Sequence, residues 1–470
     1  MRSVLFFAAL AVILIGSVLG GTGCANIIPP AGGPRDSLPP ILLRASPPDS
    51  TLNFRGNRIV LEFDEFIDAQ NTQSVLLTPY PLRPPRFEPR LRTLTITLQD
   101  TLEPNTTYTI NFGEAIKDVN EGNVLRNFDY TFSTGAALDS LSFSGNVVLA
   151  ETGAVDTNMV AVLYRNLDDS ALVKDRPRYI AKLNRSGSFQ FRNLPSGTFA
   201  LYAYGDANSR SYSGRNQLFA FADSPIVVRS GAAPVTLYAF REGQPGTPAT
   251  PAIGGGTTGS NRLRAGAENR LQFSTNISSN TLDLLSPLVL TFEQPLRTFD
   301  STRIRLTQDS TFTPVASSAT LDTTSRRLTV RTDWKEGTRY QLILDQAFAE
   351  DTLGRRLLKT DTLTFATRKA TEYGSLSIRL RNIDLSLNPV LQFVQNNNVV
   401  LSAPIPSGTF SQALFLPGDY ELRVLYDRNG NGKWDPGQFF GGKRQPELVR
   451  PIERRVNVKA NWDNEFEVAL

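Results

Sequence analysis

The residues best placed to do chemistry form one loop near the C-terminus, Asp427-Arg428-Asn429-Gly430-Asn431-Gly432-Lys433-Trp434-Asp435. Side-chain oxygens fall at alternate positions, Asp427, Asn429 and Asn431, with glycine at the sixth place and Asp435 at the ninth. Oxygen donors at that spacing, on a chain that glycine allows to turn sharply, can wrap a hard cation such as calcium, with the Lys433 carbonyl as a further ligand. The twelfth place, where such a loop takes a bidentate glutamate, is Gln438, and Arg428 and Lys433 offset the charge of the two carboxylates. A site of this composition would hold calcium weakly, with a Kd of about 0.1–1 mM. Glu447 is a candidate further ligand from beyond the loop. The same residues also describe an ordinary Asn/Gly-rich turn in which Asp427 caps its own backbone.

Other chemistry is sparse. The chain contains no histidine and one cysteine, Cys24. Imidazole bases, Ser-His-Asp and Cys-His arrangements are therefore absent, and no disulfide can close within one chain. Asp64, Glu65 and Glu114 leave paired-carboxylate hydrolysis formally open, although acids flanking strands and turns are ordinarily solvated. Catalysis is not expected. Trp434, Phe439, Phe440 and Trp462 gather in the last hundred residues, as a carbohydrate- or protein-contacting surface or as core. The 49 basic and 45 acidic residues nearly cancel, and no basic run is interleaved with aromatics, so nucleic acid is not an expected partner.

The elements that must position the loop are strands. Leu416-Pro417-Gly418-Asp419-Tyr420 leads by alternation into Asp427, and Leu194-Pro195-Ser196-Gly197-Thr198-Phe199 leads likewise into Asp206-Ala207-Asn208. The upstream copy has lost the glycine and carries Arg210 at the third oxygen position, which disfavours metal there. Period-two runs such as Ile59-Val60-Leu61-Glu62-Phe63, Leu94-Thr95-Ile96-Thr97-Leu98 and Tyr108-Thr109-Ile110-Asn111-Phe112 are separated by Pro, Asn, Asp and Gly turns. About seven short strands in roughly a hundred residues is the pattern of an Ig-like sandwich. No segment after the leader has sustained helical periodicity. The expected fold is all-β, a tandem array of β-sandwiches in A-B-A-B order, arranged as beads on a string rather than as one merged core.

Segment 40–135 resembles the SbsA-type bacterial Ig-like domain. The resemblance rests on Pro47-Pro48-Asp49-Ser50, Phe63-Asp64-Glu65, Asn105-Thr106-Thr107-Tyr108, the Asp118 to Gly122 loop and Phe132-Ser133-Thr134. It implies a structural or spacer module. In segment 141–240, the series Gly187-Ser188-Phe189-Gln190-Phe191-Arg192-Asn193-Leu194-Pro195-Ser196-Gly197 is similar to the carboxypeptidase-regulatory, transthyretin-like sandwich, which is non-catalytic. Residues 242–266 read as a flexible linker rich in Pro and Gly. Segment 271–368 repeats the Ig-like pattern in degraded form, with Leu288 to Glu293 set against Ile59 to Asp64 and Asp351 to Gly354 against Asp118 to Gly122. Segment 373–470 answers the transthyretin-like one.

Met1-Arg2-Ser3, the apolar run Val4 to Leu19 and Gly20-Gly21-Thr22-Gly23 before Cys24 have the layout of a signal peptide, residues 1–23. Small residues just before a cysteine resemble the bacterial lipobox, with Gly21 where leucine is usual. That resemblance implies lipidation at Cys24, followed by a Pro/Gly-rich tether, residues 24–39. Loss of Arg2 with the leader brings the formal charge of +4 to +3. Cys24-Ala25-Asn26-Ile27-Ile28-Pro29-Pro30 through Gly32-Gly33-Pro34-Arg35-Asp36 also resembles Bacteroidetes-type envelope lipoproteins, which places the expectation at the outer membrane. The expected role is a structural, spacer or adhesion scaffold, with an envelope protein or glycan as partner. The alternative is a glycan- or peptide-binding protein, calcium-dependent or not, that uses the C-terminal segment.

Overall fold

The computed structural model describes residues 36–70, 72–205, 211–242, 270–308 and 312–470. Cys24, the leader, the linker beyond Glu242 and Asp206 to Arg210 lie outside the described residues. Strand accounts for 49% of the structure and helix for 4%, so buried sheet faces hold the fold. Among the described residues no helix is long and apolar enough to cross a membrane.

The chain divides into two compact units, one ending at Asp139 and one running Ser140–Leu470. In the first, Leu42–Ser46, Arg58–Phe63, Thr93–Thr97 and Arg86–Arg90 pair antiparallel in that order. A second sheet orders Leu76–Thr78, Thr107–Asn111 and Asp129–Ser133. Period-two alternation does what the sequence implies: Ile59, Leu61 and Phe63 are fully buried while Arg58 and Glu62 face solvent. Each such burial stabilises by about 1.5–3 kcal/mol. With Leu94, Ile96, Ile110, Phe112, Tyr130 and Phe132 they form one core.

Among its described residues the second unit has three large sandwich cores and a smaller cluster of Val390, Leu425 and Val449. In the first, Leu141–Leu149 pairs antiparallel with Ser188–Leu194 and parallel with Val235–Arg241. The second has Phe273–Thr275, Leu288–Phe292, Arg327–Arg331 and Ser318–Leu321 in one sheet, the strand order of the N-terminal sandwich over again. In the third, Gly374–Arg381 pairs antiparallel with Thr409–Phe415 and parallel with Asp463–Ala469. Facing them, Asn398–Pro404, Pro389–Gln395, Gly418–Tyr426 and Leu448–Val458 form a four-stranded sheet.

The expectation of independent beads fails within this unit. The Val449 N–H donates to the Ala150 carbonyl at 2.8 Å, and a methyl at Gly153 would stand 2.4 Å from the Pro451 ring. The Tyr373 hydroxyl, in turn, donates to Asp283 and accepts from the Leu284 N–H at 2.8 Å. Apolar loop residues with no core of their own bury against a neighbouring sandwich. That is why segments 141–240 and 373–470 share a boundary despite their separation in sequence.

Candidate functional site

The loop after Gly418–Tyr426 is organised by two carboxylates. Asp427 is buried; its Oδ1 accepts the N–H groups of Gly430 (2.8 Å) and Asn431 (3.2 Å), and its Oδ2 that of Gly432 (2.6 Å). Gly430 and Gly432 have φ near +70°, a conformation that a side chain would strain, so glycine is needed at both places. Glu447, also buried, does reach back: its Oε1 accepts the Arg428 N–H at 2.8 Å and its Oε2 the Asp435 N–H at 3.0 Å. Asp435 Oδ2 is held by the side-chain amides of Asn429 (2.6 Å) and Asn431 (2.8 Å). The oxygens of Asn429 and Asn431 accept the N–H groups of Asn431 and Lys433, closing two successive side-chain turns.

This arrangement places Asp427 in the turn-capping role. The oxygen donors gathered here are Asp427, Asn429, Asn431 and Asp435 of the loop with Glu447 from outside it, each accepting N–H groups. Burial pushes the Glu447 carboxyl up, and the charges of Asp427 and Asp435 add to that, while N–H groups of Asp435 and Arg428 pull it down. A cation here would displace the Asn429 and Asn431 amide hydrogens from Asp435. Gln438 leads into a small hairpin: its N–H and carbonyl pair with Arg444, and its side-chain amide donates to the Phe440 carbonyl at 2.9 Å.

That hairpin carries Phe439 and Phe440, and the structure removes the first from any exposed binding surface. Phe439 is buried 5.5, 5.1 and 5.2 Å, centroid to centroid, from Tyr202, Phe219 and Phe221 of segment 141–240. Lys443 pairs with Asp169 at 2.6 Å, and the Gln445 amide donates to the Phe221 carbonyl (3.0 Å) and to Asp223 (2.8 Å). Gly437 is required, since a Cβ would meet the Phe240 ring at 2.7 Å. Phe440 is half-buried against Phe439. Half-buried Trp434 packs on Val390, Leu425 and Val449 and donates its indole N–H to the Glu447 carbonyl at 2.8 Å. Trp462 remains exposed. The docking of Phe439 escapes sequence reading because its partners lie more than two hundred residues upstream. Its one local signal is an apolar pair between glycines, which has to be buried somewhere.

A second cluster lies in the N-terminal unit. Oxygens of Glu65, Asp118 and Glu121 all lie within 4.8 Å of one another. Asp118 is buried, which pushes its carboxyl up, but backbone N–H groups of Gly122, Glu121 and Asn123 outweigh this and hold it below the ordinary aspartate range. Glu114 stands apart from them in an exposed pair with Arg126 at 3.2 Å, so the carboxylates considered for hydrolysis do not converge as Asp64, Glu65 and Glu114.

Residues 36–134 match the family described as a bacterial Ig-like domain, Big_5. That identifies the first sandwich, about a fifth of the chain. Among solved structures, the chain is similar to the Bacillus anthracis TIE protein at 10% identity, covering 93% of this chain and 75% of that one, with a TM-score of 0.17. It is similar to the N-terminal part of the bacterial S-layer protein SbsC at 12% identity, covering 40% and 45%, with a TM-score of 0.21. It is similar also to BcpA, the major pilin subunit of Bacillus cereus, at 7% identity, covering 70% and 99%, with a TM-score of 0.17. Likeness at this level carries no argument about function. No curated protein matches the sequence.

Proposed function

We propose that the chain is a non-enzymatic cell-envelope lipoprotein, anchored in the outer membrane through an acyl group on Cys24, that acts as a structural, spacer or adhesion scaffold. The reading rests on parallel pairing near the two ends of each sandwich, made by the first strand itself in segments 141–240 and 373–470 and by the stretch after an antiparallel first strand in the other two. Leu141–Leu149 runs parallel to Val235–Arg241, Thr281–Leu282 to Asp361–Thr367, and Gly374–Arg381 to Asp463–Ala469; in the N-terminal unit Thr51 bridges Phe132 in the same sense. Tension applied along the chain therefore shears a ladder of hydrogen bonds together instead of unzipping them singly, which suits a spacer under load. We propose for segments 141–240 and 373–470 the transthyretin-like sandwich, a reading supported by their shared sequence pattern and by the like pairing of their first and last strands.

The anchor is tested by labelling expressing cells with radioactive palmitate. Label on the wild type, none on Cys24→Ala, and recovery of the wild type with outer membranes support it; an unlabelled wild type refutes it. We propose further that the Asp427 loop takes calcium through Asp427, Asn429, Asn431, the Lys433 carbonyl, Asp435 and Glu447. What supports the reading is that Glu447 reaches the loop, accepting the N–H groups of Arg428 and Asp435. The glycan- or peptide-binding alternative loses Phe439 as a contact. It is tested by a glycan array probed with the full chain with and without calcium, on which a pure scaffold gives no hits.

A further inference from the structure

The N-terminal sandwich and its copy at residues 271–368 are the same fold in one molecule, so each is a control for the other. Three loops meet at one end of the first. Asp64 N–H donates to the Ile41 carbonyl (3.1 Å), Ile67 N–H to that of Leu91 (2.9 Å), and Val119 N–H to that of Phe66 (3.0 Å). The copy repeats all three bonds: Glu293 to Gln272 (3.2 Å), Leu296 to Ser325 (2.7 Å) and Thr352 to Pro295 (3.0 Å). At the three accepting positions and at the residue after the loop aspartate the first sandwich is the more apolar, while the copy exposes Leu353 (67%) beside Thr352. Ile41, Phe66, Leu91 and Val119 are 57%, 45%, 68% and 58% exposed, and the copy has Gln272, Pro295, Ser325 and Thr352 in their places.

Leu91 departs furthest from local preference. Its φ is +53° and that of Ser325 is +56°, the left-handed region that bulky side chains rarely adopt. A leucine held there with its side chain in water gains nothing in the fold of the isolated domain. Apolar residues placed against both backbone preference and solvation mark an interaction surface.

We propose that this end of the first sandwich is a self-association surface on which a second copy of the chain docks. The charges beside the patch favour that occupant. Arg92 lies with its guanidinium carbon 5.4 Å from the centroid of the Phe66 ring, and Asp64 and Glu65 adjoin Phe66 in the same loop. A patch with both signs around an apolar centre matches itself under a twofold axis, apolar against apolar and Arg92 of each copy against Glu65 of the other. An anionic membrane surface would instead meet two carboxylates. Burial, with the charges of Asp118 and Asp64 next to it, pushes the Glu65 carboxyl up, so a facing guanidinium relieves a strained charge. The copy has neutral Gln294 at that position.

The test is sedimentation equilibrium of the full chain carrying Cys24→Ala, at concentrations up to about 200 µM, where a weak small interface is populated. The wild-type surface is expected to dimerise, and Phe66→Ser/Leu91→Ser/Val119→Thr to raise the dimer Kd by about tenfold or more. These replacements follow or resemble what the copy tolerates. Glu65→Arg and Arg92→Glu should each weaken the dimer singly and restore it when combined, an outcome that loss of folding cannot imitate. A chain that stays monomeric throughout overturns the proposal. So does a triple variant that dimerises like the parent, or flotation with phosphatidylglycerol vesicles in place of dimerisation.

Discussion

Glu447 and Gln217 hold the same place in two copies of one loop. Each is the residue just before a strand that pairs antiparallel with the strand leading to an aspartate, Leu448 facing Tyr426 and Leu218 bonding Gly205. Glu447 accepts two backbone N–H groups with its carboxylate, whereas Gln217 accepts the Ser213 N–H at 2.7 Å and donates to the Gly205 carbonyl. At this place one copy thus carries a carboxylate and the other a neutral amide.

Replacing Glu447 by the residue of its copy should alter pH dependence. The raised carboxyl means that the folded state binds its proton more tightly than the unfolded chain does. The stability contributed by this proton is full below the unfolded value and is lost as pH rises through the raised folded one. Urea midpoints followed by Trp434 fluorescence between about pH 4 and 7 should fall less with rising pH in Glu447→Gln than in the parent. Equal slopes would show that Glu447 does not carry this proton.

Calcium should act in the opposite sense by binding the deprotonated carboxylates. At tenfold excess over Kd it should stabilise the second unit by about 1.4 kcal/mol, raise the melting temperature and change Trp434 emission. Asp435→Ala and Glu447→Gln should abolish the response. No change in the parent at millimolar calcium would dispose of the site.

Phe439→Ala should cost about 3 kcal/mol, because a ring enclosed by Tyr202, Phe219 and Phe221 leaves a cavity behind. Hydrogen exchange should rise in Gly197–Tyr204 and Leu218–Phe221 and stay unchanged in Leu288–Phe292. Unaltered exchange in the first two strands would mean that the hairpin does not brace that sheet.

Asp118→Ala should destabilise the N-terminal unit by about 1–3 kcal/mol, since the backbone N–H groups of Glu121, Gly122 and Asn123 lose a charged acceptor. Asp351→Ala should act likewise in the copy, where the Asp351 carboxylate accepts from the N–H groups of Leu353 and Arg355 and pairs with the Arg355 side chain at 2.6 Å. Chemical denaturation of each variant measures both, and a change under 0.5 kcal/mol would be no larger than that of an ordinary surface substitution.

Sandwich cores were legible because burial at period two is written locally, as at Ile59, Leu61 and Phe63 against Arg58 and Glu62. The Asp427 turn was legible for a similar reason, since its partners Gly430, Asn431 and Gly432 follow within five residues. Glu447 could be named only as a candidate, because strand pairing, not spacing, returns it to the loop. Phe439 could be placed in a core or on a surface, and only tertiary structure shows the distant sheet that covers it. The meeting of Glu65 with Asp118 and Glu121 was hidden in the same way, by more than fifty intervening residues.

Single-molecule extension of the full chain bears most directly on the scaffold reading. With first and last strands paired parallel, the segment Gly374 to Ala469 should resist as a unit and then release about 320 Å of contour in one step. Segment 141–241 should do the same. Discrete high-force steps of that length are the expected result. Smooth lengthening at the low force that unzips a hairpin would contradict the account.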